Sequence, residues 1–425
     1  MLLEPSQPST DTEVAIADRV RRAHIGFITD SYLDSKSTLF EGGAERHLLH
    51  LATLAAGLGA QVSIYQPGPP HGTVELSGIR VVRAGPRRST LWSALARQAL
   101  KDKCTHLHFQ YLEHVPPGLP TERVTATCHG IYWDAVWDRN YASWYPSRWV
   151  NNATLTVWRR TQKARTLSRL RRCRAVLSVD SSLLTIVHSD APHLRERVEV
   201  VPNFADFSPD EVATAQEEES TKLDSMRAAK DSAQTTVLIP RNLSLSKGGA
   251  WLAEIAALVT KREAVDCHFF LAGVPVPVHG RADKFATNLA RDTGRAASSV
   301  RARLTVMGGL PHSLMPSALA LADIVLFPTF FYEGCSLATL EAMLFGKAIV
   351  ATRVGGFTDI LWDRVNGLLV HPNAESIASA VAELAANATL REVLGLQARE
   401  DALVRFTLQA WRERAGRFIK SVGWA

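Results

Sequence analysis

Short runs rich in β-branched residues alternate with longer helical stretches along almost the whole chain, and this alternation leaves few architectures open. Strands separated by a helical stretch cannot pair as tight hairpins; they pair in parallel through crossover helices. In the first half the pattern predicts strands at His24–Ile28, Gln61–Tyr65, Ile79–Val82, Thr105–Phe109, Arg123–Cys128, Ala175–Val179 and Val198–Val201. Between the first two, Leu48, Leu51, Ala52 and Ala55 recur at helical spacing and predict a helix from Ala44 to Leu58, punctuated by Gly57 and Gly59.

The apolar pattern then lapses. From Phe204 to Ala233, Asp206, Asp210 and the run Glu217–Glu218–Glu219 read as a solvated linker or surface insertion. A second series follows: strand Thr235–Pro240, helix Lys247–Lys261, strands Cys267–Ala272, Arg303–Met307 and Ile324–Pro328, helix Ser336–Phe345, and strand Ala348–Ala351. No repeat of solenoid period interrupts it. A chain of 425 residues exceeds one ordinary core, and two α/β series predict two Rossmann-like, doubly wound domains. The expected division is 1–203 with a C-terminal helix at about 405–425, and 204–404. Ligand sites then belong at the carboxyl ends of the strands.

Several function classes drop out early. With 46% hydrophobic and 21% charged residues the chain reads as globular, and its longest apolar runs are strand-length, far short of a membrane span. The stretch Met1 to Asp18 is polar and acidic, without the basic and apolar regions of a secretory signal. Cys104, Cys128, Cys173, Cys267 and Cys335 show neither CxxC nor zinc spacing, and five is an odd number, so a reducing cytoplasm is the expected location. A net charge of +6 suits phosphorylated substrates or acidic lipid without selecting either.

The densest chemistry lies in Phe327-Pro328-Thr329-Phe330-Phe331-Tyr332-Glu333-Gly334-Cys335-Ser336-Leu337-Ala338-Thr339-Leu340-Glu341-Ala342-Met343. A strand ends, a loop follows, and a helix opens near Ser336. Backbone amides of Gly334, Cys335, Ser336 and Leu337 at a helix start can face an anion. Glu341 falls mid-helix among Leu337, Leu340, Met343 and Leu344, where a buried carboxylate needs a partner. Spacing alone fits either a sugar-nucleotide site or a capped helix with one carboxylate tied to local backbone.

Upstream, Ile239-Pro240-Arg241-Asn242-Leu243-Ser244-Leu245-Ser246-Lys247-Gly248-Gly249 delivers Arg241 at a strand end and Lys247 at the predicted start of the next helix. Arginine binds a diphosphate through two parallel bonds and lysine as a point charge; a pair of surface cations is the other reading. In Glu41-Gly42-Gly43-Ala44-Glu45-Arg46-His47, the glycines let backbone approach a ligand beside a helix N-terminus. In Thr127-Cys128-His129-Gly130 a strand ends on a histidine, either in a site or satisfied locally. His106 and His108 alternate on the preceding strand and read as structural.

Together these segments resemble the family 4 glycosyltransferases, retaining enzymes of the GT-B fold. The likeness runs from Ile25 to about His371. It includes the Glu-x7-Glu spacing of Glu333 and Glu341, Gly346-Lys347-Ala348-Ile349-Val350-Ala351-Thr352, the Gly355-Gly356 turn and the Pro202-Asn203 turn where the chain leaves the first domain. It implies two Rossmann-like domains facing across a cleft, with acceptor on the N-terminal side and donor on the C-terminal side. Glu333 would approach hydroxyls of the donor sugar, Glu341 would accept from the ribose, and Arg241 with Lys247 would neutralise the leaving diphosphate without a metal. Gly42 and Gly43 would lie beside the donor phosphate, and His129 near the anomeric region in a supporting role. The stretch Leu408 to Ser421 would pack back on the first domain.

The resemblance therefore implies a metal-independent transferase without a cofactor. Its substrates would be a nucleoside-diphosphate sugar donor and a carbohydrate, lipid-linked or small-molecule acceptor. Cys335 and Ser336 stand where the family more often has an aromatic and a glycine, and Phe357-Thr358-Asp359 replaces its proline-glutamate. The first of these changes bears on contacts to the donor sugar.

Two further features carry alternatives. Trp133, Trp137, Tyr141 and Tyr145 repeat at spacing four, either an acceptor-stacking face or core packing, with Pro146 ending such a helix. Arg159 to Arg174 holds eight basic residues and no acidic one, either a peripheral membrane contact or a solvated charged face. Nucleic acid has no support beyond that run. A nucleotide-sugar epimerase would need an acid/base pair that is not evident, and a non-catalytic binding scaffold would not need all four charged site residues. A dinucleotide oxidoreductase would need a GxGxxG after a strand, and none occurs.

Overall fold

A computed structural model of the chain describes residues 23–33, 42–68, 73–76, 78–84, 91–133, 152–207, 211–212, 221–242, 247–249, 251–260, 265–274 and 304–423. These residues fall into two compact units. One takes in the described residues up to His129, Asn152–Val201 and those from Trp411 onward; the other takes in Pro202–Ala410 and the few residues after His129. The chain thus returns to its first unit at its end.

The first unit is an eight-stranded sheet built from β1 (His24–Ile28), β2 (Gln61–Gln66), β3 (Thr73–Leu76), β4 (Ile79–Arg83), β5 (His106–Phe109), β6 (Val124–Cys128), β7 (Ala175–Ser178) and β8 (Val198–Val200). Their order is β3-β4-β2-β1-β5-β6-β7-β8, and only the edge pair β3–β4 is antiparallel. That edge strand has no apolar run and alternates exposed with half-buried residues, which is why the sequence pattern does not predict it. Helices α1 (Gly43–Gly57), α2 (Leu91–Lys101), α3 (Asn152–Leu170) and α4 (Ser182–Asp190) connect the strands. In α1, His47, Leu48, Leu51, Ala52 and Ala55 are buried, one face at helical spacing.

The second unit is a six-stranded, wholly parallel sheet of β9 (Thr235–Ile239), β10 (Cys267–Ala272), β11 (Leu304–Gly308), β12 (Ile324–Phe327), β13 (Ala348–Thr352) and β14 (Leu368–Val370), ordered β11-β10-β9-β12-β13-β14. Numbered within the unit, this is the 3-2-1-4-5-6 order of a doubly wound sheet, and its switch point lies between β9 and β12. Val237, Ile239, Phe269, Leu271, Ile324, Leu326 and Val350 form its core with Ile255, Ile377 and Val381 from the covering helices. Those helices are α5 (Asp224–Asp231), α6 (Leu252–Thr260), α7 (Met315–Leu321), α8 (Leu337–Leu344), α9 (Phe357–Ile360), α10 (Ala374–Ala386) and α11 (Ala388–Arg405). Asn373 and Asn387 cap α10 and α11, accepting from the amides of Ser376 at 2.7 Å and Leu390 at 2.9 Å.

The last helix, α12 (Leu408–Ser421), buries Trp411, Ala415, Phe418 and Ile419 along one stripe. Trp411 is fully buried, its ring 5.5 Å from that of His47.

One expectation needs correction. The helix predicted from Lys247 starts at Leu252, and Lys247 sits in the turn before it. Two glycines, Gly248 and Gly249, disfavour helix there. Other expectations, including Glu41, the acidic run Glu217–Glu219 and the aromatic positions Trp137, Tyr141 and Tyr145, lie outside the described residues. Trp133 is described and is buried, 3% exposed. Among the described residues no helix is long and apolar enough to cross a membrane.

Candidate active site

In the second unit β9 and β12 run side by side, with Ile324 opposite Val237 and Val325 opposite Leu238. Continuing that register puts Arg241 level with Pro328, so the residues just past both strands meet at the switch point. Arg241 donates through Nη1 to Thr329 Oγ1 at 2.7 Å and through Nη2 to Glu333 Oε2 at 2.5 Å. Thr329 Oγ1 lies 3.4 Å from the same carboxylate oxygen, and the guanidinium stands 5.7 Å from the Phe327 ring centre. Both charged side chains are largely buried, 6% and 13% exposed. A guanidinium removed from water in this way is stabilised by its carboxylate, and the carboxylate by it.

Lys247 joins them through Gly248, which adopts φ +83°. A side chain at Gly248 would run into the Pro328 carbonyl, so its absence lets the turn lie against the end of β12. The Glu333 carboxylate favours the charged Lys247 ammonium, but the Arg241 guanidinium and burial outweigh it and pull the lysine below its ordinary range. Burial pushes the Glu333 carboxyl up, yet the charges of Arg241 and Lys247 with the bonds from Arg241 and Thr329 bring it below the usual carboxylate range. Two cations share one carboxylate. The cluster therefore carries an excess positive charge in a nearly dry setting, suited to a dianionic ligand.

The loop holding Glu333 is braced from two sides. Gly356 N donates to the Glu333 carbonyl at 2.7 Å, and Gly355 packs so closely on the same carbonyl that no Cβ would fit. Asn203 Nδ2 donates to the Cys335 carbonyl at 2.6 Å, tying the Pro202-Asn203 turn to this loop. Ser336 caps α8, its Oγ accepting from Thr339 N at 3.4 Å. The Cys335 and Leu337 side chains are buried, leaving backbone amides as their route to a ligand.

Glu341 lies apart from the trio within the same unit. Its side chain is 3% exposed, and Oε1 is 3.2 Å from His312 Nε2. The His312 ring stacks on Phe207 at 4.5 Å with a 9° angle between planes. Sequence reasoning passed over Thr329, Asn203's bond and His312. A usable signal existed for Thr329, since it follows a predicted strand end as Arg241 does; His312 pairs with Glu341 only through the fold.

In the first unit, Gln110, which follows β5, links the first turn of α1, next to Gly42 and Gly43, to His129. Gln110 Nε2 donates to the Ala44 carbonyl at 2.6 Å and lies 3.0 Å from His129 Nε2. An amide nitrogen only donates, so His129 Nε2 accepts and Nδ1 carries the proton. Burial lowers His129 to about 4, which keeps the ring neutral at ordinary pH. Ser31 Oγ donates to Glu45 Oε1 at 2.7 Å in the first turn of α1. His106 and His108 bond locally, the latter to Thr125 and Thr127 at 2.9 and 3.0 Å. Among the described residues no group of three or more His, Cys, Asp or Glu could hold a metal ion.

Comparison with known proteins gives this geometry its context. Residues 41–208 match the sequence model described as Glycosyltransferase Family 4, and residues 234–387 match that of Glycosyl transferases group 1. An α-D-kanosaminyltransferase of Streptomyces kanamyceticus is 27% identical over 188 residues, 44% of this chain and 46% of that enzyme. The chain thus spans less than half the length of that curated relative. Among solved structures, a sucrose-phosphate synthase from Thermosynechococcus elongatus superimposes with a TM-score of 0.69 at 16% identity, covering 94% of this chain and 99% of that one. HepE of Anabaena, solved in complex with UDP-glucose, gives 0.66 at 15% identity with the same coverage. The two sheets, the matched family segments and the full-length structural likeness lead to one assignment: the chain is a glycosyltransferase of family 4, with the GT-B fold.

Proposed function

We propose that the chain transfers a sugar from a nucleoside-diphosphate sugar to a hydroxyl of a carbohydrate, lipid-linked or small-molecule acceptor, with retention at the anomeric carbon and without a metal or cofactor. The observation that carries this reading is the Arg241–Glu333–Lys247 cluster at the switch point of the second sheet, two cations sharing one carboxylate. Arg241 and Lys247 bind the diphosphate and stabilise the charge it gains as it leaves. The amides at the start of α8 add their dipoles. Glu333 positions the sugar hydroxyls, and Glu341 accepts from the ribose. In the first unit Gly42 and Gly43 approach the donor phosphate, and the neutral His129 offers Nδ1–H as a sugar contact, not as a general acid.

In the transfer step the bond from the anomeric carbon to the diphosphate oxygen breaks while the acceptor oxygen bonds on the same face. The acceptor proton passes to the leaving phosphate. No protein nucleophile enters, so the rate comes from charge stabilisation and positioning.

The five cysteines are all buried and none forms a disulfide, which supports placing the enzyme in a reducing compartment such as the cytoplasm. The basic run from Arg159 is partly committed within the protein: Lys163 pairs with Asp190 at 2.7 Å, and Arg172 donates to the Val115 carbonyl at 3.3 Å. We therefore read it as a charged face and leave membrane contact outside the proposal.

The test is a thermal-shift screen with UDP, GDP, ADP and dTDP sugars in EDTA, followed by assay of nucleoside diphosphate release with candidate acceptors. A ligand at a hundred times its Kd stabilises by about 2.7 kcal/mol. A shift with one nucleotide, release only when an acceptor is present, and a product anomer matching the donor support the reading. Release that requires a divalent metal, or an inverted product, overturns those parts of it.

A further inference from the structure

We propose that His312 is a positioning residue for nucleoside recognition, aligning the Glu341 carboxylate on the ribose hydroxyls of the donor. The inference rests on the reading of Glu341 as the ribose acceptor.

Glu341 is on the middle of α8, between Leu340 and Ala342, and every residue of that helix except Ala338 is buried. The helix fixes where its Cα stands, but a glutamate has three side-chain torsions, and an apolar wall does not select among them. Recognition of two vicinal hydroxyls needs the carboxylate plane held to within some tens of degrees. A carboxylate that is 3% exposed also needs hydrogen bonds to stay charged.

His312 meets both needs. Its Nε2 is 3.2 Å from Glu341 Oε1. An ionised carboxylate only accepts, so Nε2 carries the hydrogen and donates it. The imidazole is itself held: its face lies 4.5 Å from that of Phe207, nearly parallel at 9°, and Phe207 packs edge-on against Phe345 at 6.0 Å. Phe345 directly follows α8, so Phe207 touches both the imidazole and the end of the helix that bears Glu341. The histidine rises from a short turn, His312–Leu314, just after β11. Phe207 thus packs against the imidazole that bonds Glu341 Oε1 and against Phe345 at the end of the same helix. The imidazole side chain remains 30% exposed, so it reaches from the buried carboxylate toward the surface. A structural histidine would be expected to satisfy itself locally, as His108 does between two threonines of the neighbouring strand.

The experiment compares UDP with 2′-deoxy-UDP by titration calorimetry on the full chain, in wild type, His312→Ala, His312→Gln and Phe207→Leu. If another nucleoside diphosphate gives the stronger thermal shift, that nucleotide and its 2′-deoxy form replace them. Wild type is expected to prefer the ribonucleotide by about tenfold, the equivalent of one charge-assisted hydrogen bond. His312→Ala should lose most of that preference, and His312→Gln should recover it, since its amide also donates to Oε1. Phe207→Leu should fall between them. In turnover, His312→Ala should raise the donor KM while leaving kcat and the acceptor KM within about twofold.

If wild type does not discriminate between the two nucleotides, the ribose role of Glu341 fails and the inference falls with it. If wild type discriminates and His312→Ala discriminates equally, Glu341 keeps its role and His312 loses its own. Equal losses in His312→Ala and His312→Gln with lowered thermal stability in both mark a packing role and overturn the proposal.

Discussion

Arg241 Nη2 and Glu333 Oε2 stand 2.5 Å apart at the switch point of the second sheet, with Thr329 bonding to the same guanidinium. Breaking one side of a buried pair is costly because it strands the other charge; replacing both is often neutral. Glu333→Ala is therefore expected to lower unfolding stability by about 3–5 kcal/mol as well as to abolish transfer. The double variant Arg241→Met/Glu333→Leu should regain most of the stability and none of the activity. Urea unfolding beside an assay of nucleoside diphosphate release separates the two effects. A double variant as unstable as Glu333→Ala would mean that the pair matters for shape and not for charge.

Lys247 should behave in the opposite way. Its ammonium sits beside a second cation, which together with burial lowers its pKa despite Glu333. Lys247→Ala relieves that repulsion, so its unfolding midpoint should equal or exceed that of the wild type. Transfer should fall by about a hundredfold or more, the effect of removing one charge-stabilising donor. The thermal shift given by the nucleotide should also shrink. A variant with normal turnover would remove Lys247 from the diphosphate site.

The buried histidines of the first unit set its acid sensitivity. Burial lowers His108 to about 3 and His129 to about 4, and holds His47 well below its ordinary value, with neighbouring histidines adding to the effect. In the unfolded chain these rings take up protons near pH 6.5, whereas in the folded state His129 stays neutral down to about 4 and His108 down to about 3, and His47 is held neutral well below its ordinary range. The unfolded state thus binds more protons through that window, and stability is lost as pH falls from about 6.5 toward 4. His47 has neither ring nitrogen bonded and is fully buried against Trp411. His47→Phe removes one protonatable ring and two unsatisfied polar atoms. It should raise the urea midpoint and flatten its slope with pH between 6.5 and 4.5. An unchanged slope would place the linkage elsewhere.

The parts of this fold written in local pattern were legible in the sequence. The core strands are short β-branched runs, and the predicted bounds of β1, β10 and β13 fall within one residue of those observed. The edge strand Thr73–Leu76 was not legible, because an edge needs no apolar run. The pattern predicts a helix from Lys247, yet the two glycines that follow it hold a turn and the helix starts at Leu252. At the site, the residues carrying motif and charge stood out: Arg241, Lys247, Glu333 and Glu341. Thr329, Gln110 and His312 did not, since each acts through long-range bonds, and nothing local marks a residue whose partners lie 88 positions away for Thr329, 66 and 19 for Gln110, and 29 for His312.

Gly248 offers a test that moves Lys247 without changing its charge. At φ +83° any L-residue is strained by about 1 kcal/mol, and a Cβ there would also run into the backbone carbonyl of Pro328, which cannot rotate aside. Gly78 provides the control. It has φ +77° and no atom within 4 Å of the same hypothetical carbon. Gly78→Ala should therefore cost only the backbone strain and leave nucleotide binding intact. Gly248→Ala should force the turn off the end of β12, carry Lys247 away from Glu333, and weaken the nucleoside diphosphate by tenfold or more in calorimetry. Equal binding by both variants would mean that the turn tolerates displacement and that Lys247 reaches its ligand from more than one backbone position.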